Sequence, residues 1–171
     1  VKWEYERPVV HTIMPRNGQT FGNDTTKIYG ENFGRCFDYN YVTSKGVKGP
    51  STNFCPPVYP SIDCESCKSF TRINSRLIEC VTSDGVGVGK FVNVKLGEYD
   101  VEKRNGLFNY NGPMVTKVRP LHGPASGGNV LDLTGINFGT NIDRIMTRGC
   151  SKGSRPYMTV GQIKCADFKI L

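Results

Sequence analysis

A chain of 171 residues can hold one or two small hydrophobic cores. Its ordinary apolar fraction and lack of long charge blocks exclude wholesale disorder, and no apolar run approaches the ~18 residues of a membrane span. The net charge of +7 fits a surface with a Lys/Arg excess, or attraction to acidic glycans, anionic lipids or nucleic acid. Because Lys45, Lys48, Lys90, Lys95 and Lys103 are scattered singly, no nucleic-acid footprint is expected.

Glycine and proline interrupt the chain every few residues, which breaks helical periodicity. Period-two alternation marks short, half-buried strands instead. The first expected strand is Val9–Met14, ended by a turn at Pro15-Arg16-Asn17-Gly18. Residues 25–29 form the second, followed by a corner between Gly30 and Gly34. Residues 35–66 read as irregular, with prolines at 56, 57 and 60. Residues 76–81 are a strand. Gly85-Val86-Gly87-Val88-Gly89-Lys90 imitates a phosphate loop, but its spacing is wrong and Phe91 stands where Ser or Thr is needed, so it is expected to be a hairpin turn. Residues 91–96 are a strand with Val92, Val94 and Leu96 on one face, and residues 107–110 form another. Later, Leu131 and Leu133 alternate with Asp132 and Thr134. Many short strands with regular turns predict an all-β sandwich.

The chain repeats itself with a register of 105 residues. Pro8-Val9-Val10 returns as Pro113-Met114-Val115, Pro15 as Pro120, and Gly30-Glu31-Asn32-Phe33-Gly34 as Gly135-Ile136-Asn137-Phe138-Gly139. That period is too long for a solenoid and has the size of a small domain. The register divides the chain into a closing strand (1–7), one whole unit (8–112) with a cysteine-rich insertion at 35–66, and the opening of a second unit (113–171) that lacks its last strands. The prolines are expected to release the chain from one sheet, the glycines to allow corners or close backbone approach, and the Phe of Asn-Phe-Gly to plug the end of the sandwich.

These motifs, with Ile78-Glu79-Cys80, Phe108-Asn109-Tyr110 and Val160-Gly161-Gln162-Ile163-Lys164-Cys165, resemble the IPT/TIG family of immunoglobulin-like domains over nearly the whole chain. The resemblance implies an immunoglobulin-like β-sandwich. The family occurs in plexin-like surface receptors, protist surface proteins, bacterial carbohydrate-active enzymes and Rel-type transcription factors, and fold alone does not choose among these roles.

Five of the seven cysteines, Cys36, Cys55, Cys64, Cys67 and Cys80, fall in one unit, which points to an oxidising compartment and a disulfide framework. The resemblance implies that Cys80 pairs with Cys67 or Cys64. Cys36 with Cys55 is then the remaining pair, with one thiol left over. By the same logic Cys165 pairs with a cysteine beyond Leu171, and Cys150 has no clear partner except Cys165. Cys64-Glu65-Ser66-Cys67 also has the spacing of a zinc knuckle or redox pair, with Cys55 and Cys80 as further ligands, although structural disulfides are the preferred reading. Asn23-Asp24-Thr25 is a glycosylation sequon.

No catalytic residue, metal or cofactor is expected. His11 and His122 lack a nucleophile partner, and no Gly-x-Ser-x-Gly occurs. Arg148, Lys152 and Arg155, with Tyr157, form the best basic–aromatic cluster, a solvated loop or a glycan or partner contact. Trp3 and Tyr5 mark a strand that either belongs to a slice of a longer tandem array or completes the second unit of a neighbouring copy, a head-to-tail contact that propagates as a filament. The leading expectation is therefore a non-enzymatic, extracellular structural or adhesive module whose partners are its own copies or adjacent domains. The alternatives are a ligand-binding ectodomain of a plexin-like receptor and, against the cysteines and the sequon, a Rel-type DNA-binding domain.

Overall fold

A computed structural model describes residues 6–34, 37–39, 52–100, 104–140 and 157–170. Among them there is no helix, and two sheets pack face to face. One sheet has the order β1 (Val9–Met14), β3 (Thr25–Glu31), β9 (Leu77–Val81), β8 (Ser69–Asn74). The other runs β2 (Asn17–Gly18), β11 (Arg104–Tyr110), β10 (Lys90–Leu96), β6 (Val58–Ile62), β7 (Glu65–Ser66). All pairings are antiparallel except β2 with β11. This is an immunoglobulin-like β-sandwich. Three two-stranded ribbons accompany it: β4 (Phe37–Tyr39) with β5 (Thr52–Phe54), β12 (Met114–Arg119) with β13 (Asp132–Ile136), and β14 (Thr159–Val160) with β15 (Ile163–Lys164).

Alternation decides what is buried. Ile28 on β3, and Ile78 and Cys80 on β9, face Val92 and Val94 on β10 and Phe108 on β11, and every one of these is fully buried. On β1 both Val10 and Ile13 are buried although they are three apart. A bulge between Val10 and Thr12 inserts His11 as an extra residue and restores the inward phase. After Met14 the chain passes through a cis peptide to Pro15 and crosses to the other sheet, where β2 begins two residues later. Gly30 must be glycine because a Cβ there would collide with the Val9 carbonyl and the Phe33 ring. That ring closes the core at this end and is fully buried.

Three expectations change. The stretch expected to be irregular contains β6, which contributes Val58, Pro60 and Ile62 to the core. Pro60 is tolerated inside it because only the short β7 flanks it on the side away from β10, and its carbonyl still accepts from the Cys67 N–H at 3.1 Å. The glycine-rich segment is not a hairpin turn. It is an arch, because β9 and β10 lie in opposite sheets. Its Gly85 lies against the Tyr110 ring, which leaves no room for a side chain. Cys64 is not a thiol left over, since it is disulfide-bonded.

The sequence repeat is also a geometric one. β12 pairs with β13 in the register of β1 with β3, with a bulge at the matching place between Val115 and Lys117. The cis peptides before Pro15 and Pro120 correspond, as do the left-handed Asn32 (φ 61°) and Asn137 (φ 60°). Gly135 has the same close neighbours as Gly30, namely the Met114 carbonyl and the Phe138 ring. Burial differs: Val115 is 49% exposed where its counterpart Val10 is 0%.

Candidate functional site

The best-organised polar region is the end of the sandwich where β11 leads toward β12. Four segments meet there: residues 19–24, the arch after β9, the end of β11, and the segment after β13. Asp24 ties the first two together. Its carboxylate accepts from the Gln19 N–H, its N–H donates to Thr82 Oγ1 at 3.2 Å, and its carbonyl accepts from the Thr82 N–H at 2.9 Å. The Asn23 N–H donates to the Thr82 carbonyl at 2.9 Å, and the Gly85 N–H to the Thr20 carbonyl at 3.0 Å. Thr20 and Thr82 are buried with these bonds, and Thr26 is buried with its hydroxyl donating to the Cys80 carbonyl at 3.2 Å, as polar groups removed from water must be.

Tyr110 anchors the arch from below. Its ring packs edge-on against Phe108 at 5.2 Å, and its hydroxyl donates to the Ser83 carbonyl at 3.1 Å. Burial holds its phenol well above the ordinary value of 10.0, and the carboxylates of Asp63, Asp84, Glu65 and Asp24 push it the same way. The group is thus a neutral donor across the physiological range. At the outer side of the arch, Thr140 Oγ1 donates to the Asp84 carboxylate at 2.9 Å, so the segment after β13 is joined to the sandwich.

The cysteines are settled in part. Cys80, on β9, is joined to Cys67 with a Cα separation of 5.6 Å. Cys55 and Cys64 are also disulfide-bonded. Oxidised sulfurs are not thiolate ligands, so these four residues do not form the zinc site that their spacing allows. Among the described residues no group of three or more His, Cys, Asp or Glu is arranged to hold a metal ion. Cys165 has no disulfide partner among the described residues. His11, among the same residues, pairs with Glu31, at 3.5 Å on the surface.

Asn23 is exposed beside this end of the sandwich. Tyr157 is exposed too, but its ring faces Lys164 Nζ at 4.7 Å. The remaining members of its expected cluster, Arg148, Lys152 and Arg155, lie outside the described residues, as do Trp3, Tyr5, Cys36 and Cys150. The features that sequence reasoning missed are the Tyr110 anchor and the Asp84–Thr140 contact. The first carries a signal, a tyrosine ending a core strand opposite a glycine-rich segment. The second joins residues 56 positions apart and carries none.

The fold and this region define a disulfide-bonded β-sandwich of immunoglobulin-like build. The chain is 25% identical to Plexin-2 of Caenorhabditis briggsae over 164 residues, 95% of this chain and 8% of that protein. It is 24% identical to Plexin-2 of Caenorhabditis elegans over 92% of this chain and 7% of that one. The chain therefore spans under a tenth of the length of these relatives. No family model matches. The relatives favour the receptor alternative, and the filament-subunit expectation finds no support in them.

Proposed function

We propose that this chain is an extracellular immunoglobulin-like segment of a plexin-like cell-surface receptor, acting as a binding or spacing module and not as an enzyme. The observation that carries the reading is the likeness to Plexin-2 along almost the whole chain, in sequence order and without restriction to one motif. Two features support it. Disulfide-bonded Cys55, Cys64, Cys67 and Cys80 suit an oxidising compartment and run against a nuclear Rel-type role. The hydrogen-bonded end, with Thr140 held by Asp84, suits a module that holds the adjoining C-terminal segment in a fixed orientation. The acidic-glycan partner suggested by the net charge stays secondary to a protein ligand.

Antibodies raised against the folded chain provide the test, applied to intact cells that express the parent protein. Labelling of intact cells, lost on external protease treatment, with an immunoblot band many times the mass of this chain, is the expected result. Labelling only after permeabilisation, or antigen found only as a secreted polymer, would overturn the proposal.

A further inference from the structure

We infer that Asn23 is a site of N-linked glycosylation, taking an oligosaccharide from a lipid pyrophosphate-linked donor. The inference rests on the extracellular reading above, since it needs the secretory pathway. Asn23-Asp24-Thr25 is the single Asn-x-Ser/Thr sequence in the chain. A glycan is bulky and hydrated, so the asparagine that carries it must lie at the surface of the finished fold, and Asn23 is exposed. The side chain is also oriented. Lys68 Nζ donates to Asn23 Oδ1 at 2.7 Å and to the Phe21 carbonyl at 3.3 Å. An ammonium has donors only, so it engages the amide oxygen and leaves Nδ2, the atom that takes the sugar, outside that bond. The backbone is fixed by the Asn23 N–H bond to Thr82 and is left-handed at both Gly22 (φ 71°) and Asn23 (φ 69°).

The surroundings suit a sugar. Phe21, two residues before, is 51% exposed, an apolar surface that the first sugar ring can cover. The counterpart of Asn23 in the repeat is Gly128, also left-handed (φ 88°), so the backbone alone is served by glycine and the side chain at 23 is an addition. In the transfer, Asn23 Nδ2 forms a bond to the anomeric carbon of the donor. The anomeric C–O bond to pyrophosphate breaks, the lipid pyrophosphate leaves with the electron pair, and the amide gives one proton to a base. Nothing is oxidised or reduced.

The full chain, expressed behind a secretory leader in eukaryotic cells, tests the site directly, because the leader supplies the compartment whatever the native address. Treatment with peptide N-glycosidase in ¹⁸O-water followed by peptide mapping should convert Asn23 to ¹⁸O-labelled Asp in most molecules. Thr25→Ala, which leaves the asparagine and its turn intact, should abolish the label, and Thr25→Ser should retain it. An unmodified Asn23 peptide in chain recovered from the medium overturns the inference, while surface labelling of the parent protein would still stand. Labelling that survives Thr25→Ala would equally overturn it.

Discussion

Replacing Tyr110 with Phe removes one oxygen from a residue that is 3% exposed. At neutral pH the Ser83 carbonyl loses the bond that spans 3.1 Å, which costs about 1–2 kcal/mol. The alkaline behaviour should run the other way. The phenol of wild-type Tyr110 is held above 10.0 by burial first and by Asp63, Asp84, Glu65 and Asp24 next. Below about pH 10 it is protonated in both folded and unfolded chains, so its contribution is fully present. Above that, the unfolded chain releases the proton and the folded one keeps it, so wild-type stability falls by about 1.4 kcal/mol per pH unit. The Phe variant lacks this loss. Its deficit should therefore shrink above pH 10 and vanish near pH 11, after which the variant is the more stable. Urea unfolding followed by circular dichroism from pH 8 to 11.5 measures this. Both proteins should carry Cys165→Ser, since Cys165 has no disulfide partner among the described residues and an alkaline thiolate would exchange with the disulfides. A deficit that stays constant across the range would refute the buried, hydrogen-bonded phenol.

The internal repeat offers a matched pair: Val10→Ala should cost about 2 kcal/mol, whereas Val115→Ala should stay within about 0.5 kcal/mol, read by the same unfolding curves. Gly30→Ala should prevent folding or lower the thermal midpoint by more than 10 °C, roughly the effect of 2 kcal/mol on a domain of this size, because its Cβ meets backbone as well as the Phe33 ring. Changing Cys67 and Cys80 together to Ala removes a crosslink between residues 13 apart and should cost about 3 kcal/mol in urea unfolding. Lys90→Met removes the 3.1 Å ion pair to Asp63, whose side chain is 14% exposed, and should lower stability at neutral pH by about 1 kcal/mol in urea unfolding, since Asp63 keeps other contacts.

The sandwich was legible wherever alternation was clean. β1, β3, β9, β10 and β11 all fall where period-two patterns or strand-ending turns stand in the sequence. β6 was hidden because a proline at its centre and cysteines on both sides look like loop chemistry, and only the tertiary setting makes Pro60 acceptable. β8 was hidden for the opposite reason: as an edge strand with every residue but Arg72 exposed, it has no buried face to alternate with. The arch was misread because glycines between two strands state that the chain turns, but not whether the strands then pair or part to opposite sheets. At the candidate site, the sequon was visible in three adjacent letters. Lys68, which orients it from 45 residues away, was not.

The parallel pairing of β2 with β11 has a mechanical consequence. The chain reaches β2 by way of β1 and departs from β11, so tension along the backbone pulls the two paired strands in opposite directions along their own axes. The bonds between them, Asn109 N–H to the Arg16 carbonyl and Asn111 N–H to the Gly18 carbonyl, both 2.8 Å, and the Asn109–Asn17 side-chain bond at 3.2 Å, lie across that pull and share it at once. Strands loaded this way shear as a group, whereas a hairpin pulled from its open end unzips one bond at a time. The clamp sits just before the next hairpin, β12 with β13, so tension passing along the chain from one to the other meets it in shear.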